Sequence, residues 1–78
     1  VIDEERALAI VARVSGRPRA GLAPETDLVA DLGLDSLRSF ELVVELEEAF
    51  GVALADDQVR GIRTVGDALQ ALERAAAA

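Results

Sequence analysis

A chain of 78 residues without a single cysteine has to be held together by packed side chains alone. Neither a disulfide nor a thiolate metal site can reinforce it, and at this length a hydrophobic core sits near the lower limit for independent folding. The material for that core is narrow. Apolar residues make up 51% of the chain, but only two residues are aromatic, with no Trp, Tyr or Met. The expected interior is therefore Leu, Val, Ile and Ala, in one domain spanning residues 1–78.

The apolar pattern is helical, and no strand alternation competes with it. Val1 to Val14 reads as a first helix: Asp3, Glu4 and Glu5 lie where the helix dipole favours anions, and Ala7, Ile10, Val11 and Val14 recur at helical spacing. Gly16 and Pro18 stop it. Arg17 to Asp35 is a long connection broken by Gly21, Pro24 and Gly33, yet Leu22, Leu28, Leu32 and Leu34 mark it as a loop pinned to the core. A second helix spans Ser36 to Phe50 and is closed by Gly51. A short helical turn follows from Asp56 to Gly61, then a last helix from Val65 to about Arg74, opened by an approximate capping box of Thr64 and Asp67. Its buried stripe is Val65, Ala68, Leu69 and Leu72. Residues 75–78 are expected to be a frayed tail or a linker. The fold class is all-α, a small four-helix bundle with three longer helices and one short one.

Charge narrows the choice of partners. The formal net charge is −7, so phosphate backbones and anionic membranes are disfavoured, and neither nucleic acid nor a membrane is an expected partner. The longest apolar run, Ala7 to Ala12, is far too short to span a bilayer, and no basic leader opens the chain. A cytoplasmic, monomeric protein is expected. The acidity is concentrated between Asp27 and Glu48, where Asp27, Asp31, Asp35, Glu41, Glu45, Glu47 and Glu48 face Arg38 alone. A charge run of this kind commonly ends as a solvated helix face. Here it coincides with a second signal.

On a helical wheel, Leu42, Val43, Leu46, Ala49 and Phe50 form one face of the second helix, which is core. Leu37, Phe40 and Val44 form a second apolar stripe on the opposite face, interleaved with Glu41, Glu47 and Glu48. Either the helix is central and buried on both sides, or it offers a hydrophobic strip framed by carboxylates to a partner. Burying several unpaired acids in so small a domain is prohibitively costly, which favours partner docking.

Ser36, in the stretch DLGLDSL (Asp31–Leu37), has no evident means of activation. A nucleophilic serine needs a general base such as His or Lys, and the chain contains neither. Asp35 has the more ordinary task of capping the second helix, and a bare Asp-Ser pair is most simply a helix start. The context says more: a serine at an exposed helix start, after a loop tightened by Gly33, surrounded by acids and followed by Leu37. That is a presentation site for another enzyme.

ADLGLDSL (Ala30–Leu37) running into ELVVELEEAFGV (Glu41–Val52) resembles the acyl carrier protein family, whose signature is Asp-Ser-Leu at the start of an acidic second helix. The resemblance extends to IDEER (Ile2–Arg6) and IRTVGDAL (Ile62–Leu69). It implies a carrier without catalysis of its own, with 4′-phosphopantetheine attached to Ser36 by a separate magnesium-dependent phosphopantetheinyl transferase that takes the group from coenzyme A. Asp35 and Leu37 flank the attachment point. The missing base and the missing cysteine then both make sense, because the transferase supplies activation and the arm supplies the thiol. The arm would carry acyl groups as thioesters to a ketosynthase, an acyltransferase or other synthase enzymes with basic patches. The expected docking residues are Leu37, Arg38, Phe40, Glu41, Val44, Glu47 and Glu48. An aliphatic core could open between helices to hold the acyl chain, with Val43, Leu46, Leu54, Val59, Ile62, Ala68 and Leu69 as the expected lining.

Arg38 stands where carriers of fatty-acid synthesis often have an acidic or polar residue, DSLR is similar to polyketide-synthase carriers, and Phe40 is bulkier than the usual small aliphatic. These features point to polyketide or related metabolism, with a fatty-acid or peptidyl carrier as alternatives. From another class, a cofactor-free acidic helical interaction module would keep the same helices and remove only the meaning of Ser36. A calcium loop is not expected, because Asp27, Asp31 and Asp35 are spaced by four, and Arg38 or Leu42 falls where an EF-hand requires its final Glu. No metal site is assigned.

Overall fold

A computed structural model describes residues 2–77 as α1 (Glu4–Ser15), a single 3-10 turn (Arg19–Gly21), α2 (Ser36–Phe50), α3 (Asp56–Arg60) and α4 (Val65–Ala77). Three long helices share one core: α1 packs on α2 and α4, and α2 packs on α4. The interior is aliphatic, as the composition requires, and its most deeply buried side chains are Leu42, Leu46, Leu72, Val11 and Val65. Burying a Leu or Val of this kind contributes about 1.5–3 kcal/mol, so five such residues from all three long helices make the bundle one cooperative unit.

The helix limits follow from local chemistry. α1 begins three residues later than the apolar pattern suggested, because Asp3 is its N-cap, with a carboxylate that accepts the Arg6 backbone N–H at 3.2 Å. Asp3 therefore acts as a hydrogen-bond acceptor ahead of the helix and is not a first-turn anion; Val1 lies outside the described residues. Gly16 and Gly51 close α1 and α2 in the left-handed region, at φ 70° and 64°, where a side chain would be strained. The expected box at α4 is reciprocal: the Asp67 carboxylate accepts from Thr64 N–H, and the Thr64 hydroxyl accepts from Asp67 N–H, both at 3.1 Å. α4 continues to Ala77, so residues 75–77, expected as a frayed tail or linker, form its last turn. A capped, well-packed start and three helix-favouring alanines explain the extension; Ala78 lies outside the described residues. On α4 the buried stripe is Val65, Ala68, Ala71 and Leu72, with Leu69 only partly covered.

The long loop before α2 is pinned as its leucines suggested. Leu22, Leu28, Leu32 and Leu34 are all buried. Backbone bonds hold it as well: Leu28 N–H donates to Arg63 C=O, Val65 N–H to Thr26 C=O and Gly66 N–H to Pro24 C=O, at 2.8–2.9 Å. This stitches the loop to the turn that precedes α4. A Cβ at residue 66 would lie 2.9 Å from the Pro24 carbonyl oxygen, so glycine is required there by contact.

Candidate functional site

The loop that delivers Ser36 is built by its own acids. The Asp27 carboxylate accepts from Ala30 and Val29 N–H at 2.8 and 2.9 Å, and the Asp31 carboxylate accepts from Asp27 N–H at 2.8 Å. The first two bonds hold the Asp27 carboxyl below the ordinary aspartate range. These aspartates shape the loop, and no cluster suited to a metal ion occurs among the described residues. Gly33 then turns the chain at φ 70°, and Asp35 caps α2, its carboxylate accepting from Arg38 N–H at 2.8 Å. Ser36 is consequently the first residue of α2 and exposed to solvent. No His, Lys or Cys exists to activate it.

Next to Ser36 lies a cavity of about 410 Å³ between α2, α3 and the loops before α2 and α4. Leu28, Leu42, Leu46 and Ala68 are buried and form its floor, while Val29, Ser36, Phe40 and Arg60 are exposed and form its mouth. Of the expected lining, Val43, Leu46, Val59, Ile62 and Ala68 are present. Leu54 and Leu69 are not. Leu54 belongs to the loop that leads into α3, and Leu69 packs against the main core. Leu28, Ser39, Phe40 and Leu42 were absent from the expected lining although the sequence carried a signal for two of them: Ser39 and Phe40 follow Ser36 at helical spacing, as the expected Val43 does, so a pocket reaching Ser36 must include that face. Arg60 had no such signal.

The docking residues separate into three groups. Leu37 and Phe40 are 67% and 63% exposed, unusual for side chains of their size, and Glu41 and Glu48 are exposed on the same helix. Phe40 serves two surfaces, since it also forms a shallow depression with Glu41, Val44 and Glu45 on the outer side of α2. Glu47 and Arg38 are engaged within the fold. The Glu47 carboxylate accepts from Leu54 N–H at 2.7 Å and so holds the start of the α2–α3 loop. The Arg38 guanidinium donates to the Val14 carbonyl at 2.6 Å and lies 3.9 Å from Glu41. Arg38 thus satisfies a free carbonyl at the end of α1 and ties it to the first turn of α2. The Arg38 side chain stays 56% exposed despite this bracing contact. A second strap, Arg13 to Glu45 at 2.7 Å, joins the same two helices.

The phosphopantetheine attachment site family matches residues 5–72. An acyl carrier protein from Acidothermus cellulolyticus is 42% identical over 66 residues, which is 85% of this chain and 79% of that protein. Among solved structures, one described as an acyl carrier protein from Mycobacterium tuberculosis aligns with a TM-score of 0.85 at 37% identity, covering 91% of this chain and 95% of its own. The chain belongs to the acyl carrier protein family, and the prosthetic group of that family is a covalently attached 4′-phosphopantetheine. The residues fit such a group: a serine hydroxyl exposed at a helix N-terminus, where an anionic phosphodiester is favoured, beside a largely aliphatic cavity of about 410 Å³.

Proposed function

We propose that Ser36 carries the 4′-phosphopantetheine arm and that the chain moves acyl intermediates between enzymes of a polyketide or related pathway. The observation that carries this reading is the position of Ser36, which is at once solvent-exposed at the head of α2 and part of the mouth of the apolar cavity. In the loading step, the Ser36 hydroxyl oxygen forms a bond to phosphorus as the pyrophosphate bond of coenzyme A breaks. Adenosine bisphosphate leaves, and the hydroxyl proton passes to a base of the phosphopantetheinyl transferase. This division of labour is consistent with a chain that has no base of its own. When bound, the arm supplies a thiol that holds acyl groups as thioesters.

The chain's residues do the rest. Asp35 fixes the first turn of α2 and Gly33 sets the approach, so the hydroxyl faces outward for a foreign active site. Leu37, Phe40 and Val44, framed by Glu41 and Glu48, offer an apolar strip with an acidic border to basic, apolar-rimmed patches on the transferase, a ketosynthase or an acyltransferase. Charge steering of this kind speeds encounter while leaving the complex short-lived, which suits a shuttle. Val43, Leu46, Val59, Ile62 and Ala68 would shelter the cargo. Arg38 and Phe40 support the polyketide assignment over a fatty-acid or peptidyl carrier.

The test is intact-mass measurement after incubation with coenzyme A, magnesium and a promiscuous phosphopantetheinyl transferase. The wild-type protein should gain one phosphopantetheine and Ser36→Ala none. A Ser36→Ala protein that still gains the group, or a folded wild type that never does, would reject the assignment. In the second case the cofactor-free interaction module becomes the better reading.

A further inference from the structure

We propose that Arg60 reads the cargo: its guanidinium, at the mouth of the cavity, is a hydrogen-bond donor for an acyl group bearing an oxygen acceptor, a β-carbonyl or a carboxylate, close to its thioester. This rests on the carrier reading of Ser36. The cavity floor is entirely aliphatic and could accept a saturated chain without discrimination. Its mouth differs, since it holds the one cationic side chain of the lining, Arg60, together with the hydroxyls of Ser36 and Ser39.

Four of the other seven arginines are engaged within the fold; Arg17, Arg63 and Arg74 are as unpaired as Arg60 among the described residues, but Arg60 alone lines this cavity. Arg13 bonds Glu45, Arg19 bonds Glu5, Arg38 bonds the Val14 carbonyl, and Arg6 lies over the Phe50 ring. Arg60 follows Asp57 and Asp56 by three and four residues on α3, a spacing that permits ion pairs on a helix. It nevertheless makes neither an ion pair nor a side-chain hydrogen bond among the described residues. An exposed guanidinium with no protein acceptor, beside an aliphatic cavity in a domain of net charge −7, can exchange its water for an acceptor on a bound cargo.

The geometry also says which part of a cargo it would meet. An acyl chain that enters tail first places its apolar end against Leu42, Leu46 and Ala68 and leaves its thioester end at the mouth, beside Arg60. A saturated chain offers no acceptor there. A β-keto or malonyl group offers one, and hydrogen bonds from a charged donor are the stronger kind. The arm itself carries acceptors, its phosphodiester among them, so the arm alone is the necessary control.

The experiment uses the protein loaded on Ser36 with an unacylated arm and with hydrolysis-resistant amide analogues of malonyl, β-ketooctanoyl and octanoyl cargo. Loading is verified by intact mass before any spectrum is taken. The readout is the Arg60 side-chain Nε–H signal in proton–nitrogen spectra, assigned by its loss in Arg60→Gln. The expected result is a shift with β-ketooctanoyl and malonyl cargo, relative to the arm alone, and none with octanoyl. A second arm of the experiment loads true thioesters and measures their cleavage by hydroxylamine: Arg60→Gln should hasten release of the β-keto cargo several-fold and leave octanoyl release unchanged. A shift already complete with the arm alone would assign Arg60 to the phosphodiester and overturn the proposal, as would equal shifts for β-ketooctanoyl and octanoyl. Failure of loading at Ser36 would instead reject the carrier reading, so the two failures are distinguishable.

Discussion

The two walls of the cavity are built to different standards. α2 is fifteen residues long, capped by Asp35 at one end and Gly51 at the other, and sends Leu42, Val43 and Leu46 into the interior. α3, facing it, is five residues long and buries no residue completely. Its start is held by side chains reaching backbone N–H groups, Glu47 to Leu54 and Gln58 to Ala55 at 2.7 and 2.9 Å. A helix this short cannot sustain itself and depends on such contacts. The difference teaches that the two walls are held in different ways: α2 fixes where Ser36 stands through its own caps and core side chains, and α3 closes the cavity on contacts supplied by its neighbours.

That contrast can be broken most forcefully in the core. Leu46→Ala removes a side chain that serves both the bundle and the cavity floor, and should cost about 2–5 kcal/mol in denaturant unfolding. Val59→Ala, on a half-buried side chain of α3, should cost about 1 kcal/mol or less. Comparable losses would mean that α3 belongs to the cooperative core after all. Removing the α2 cap by Asp35→Ala should cost about 1 kcal/mol and speed amide exchange in the first turn around Ser36, leaving α3 unchanged.

Acid should weaken the frame that holds α2 in place. The Asp67 carboxyl lies below the ordinary aspartate range because Arg63 and Thr64 N–H groups donate to it, and Asp27 is held low by Ala30 and Val29. A carboxyl with a depressed folded-state pKa stabilises the protein at pH well above the ordinary aspartate value of about 3.9, and that contribution drains away as pH falls through this value toward the lower one of the folded state. Denaturation midpoints measured across an acid series should therefore fall less steeply for Asp67→Asn than for the wild type. A slope equal to the wild type's would show that Asp67 does not contribute through its charge. The smallest global effect belongs to Glu47→Ala. Amide exchange at Leu54 and through α3 should accelerate while the melting temperature moves little, and a large drop in melting temperature would argue against a separable wall.

Most of α2 was legible in the sequence because its signals agree: an Asp cap, an uninterrupted helical period and a terminal glycine. Its limits, Ser36 and Phe50, coincide with the pattern, and of the outer stripe Leu37 and Phe40 are exposed while Val44 is half-buried. Asp3 was misread because a carboxylate just before a helix and one just inside it look alike in sequence, and only backbone geometry separates a cap from a first-turn charge. Leu54 and Leu69 illustrate a different limit. Hydrophobicity says that a residue is covered but not by which neighbours, and the division between core and cavity depends on how α3 sits. The engagement of Glu47 and Arg38 was equally hidden, since their partners are backbone groups that carry no residue identity.

The bonds that join Thr26 and Leu28 to Arg63 and Val65 have a consequence for the order in which the molecule can become useful. The loop that orients Ser36 is completed by a segment from the far half of the chain, so helix pairing between α1 and α2, which needs only the residues up to Phe50, cannot finish the job. During synthesis, the serine emerges long before its platform exists. A transferase that recognises the platform, and not the bare Asp-Ser-Leu string, would thereby wait for a finished chain before committing a costly prosthetic group to it.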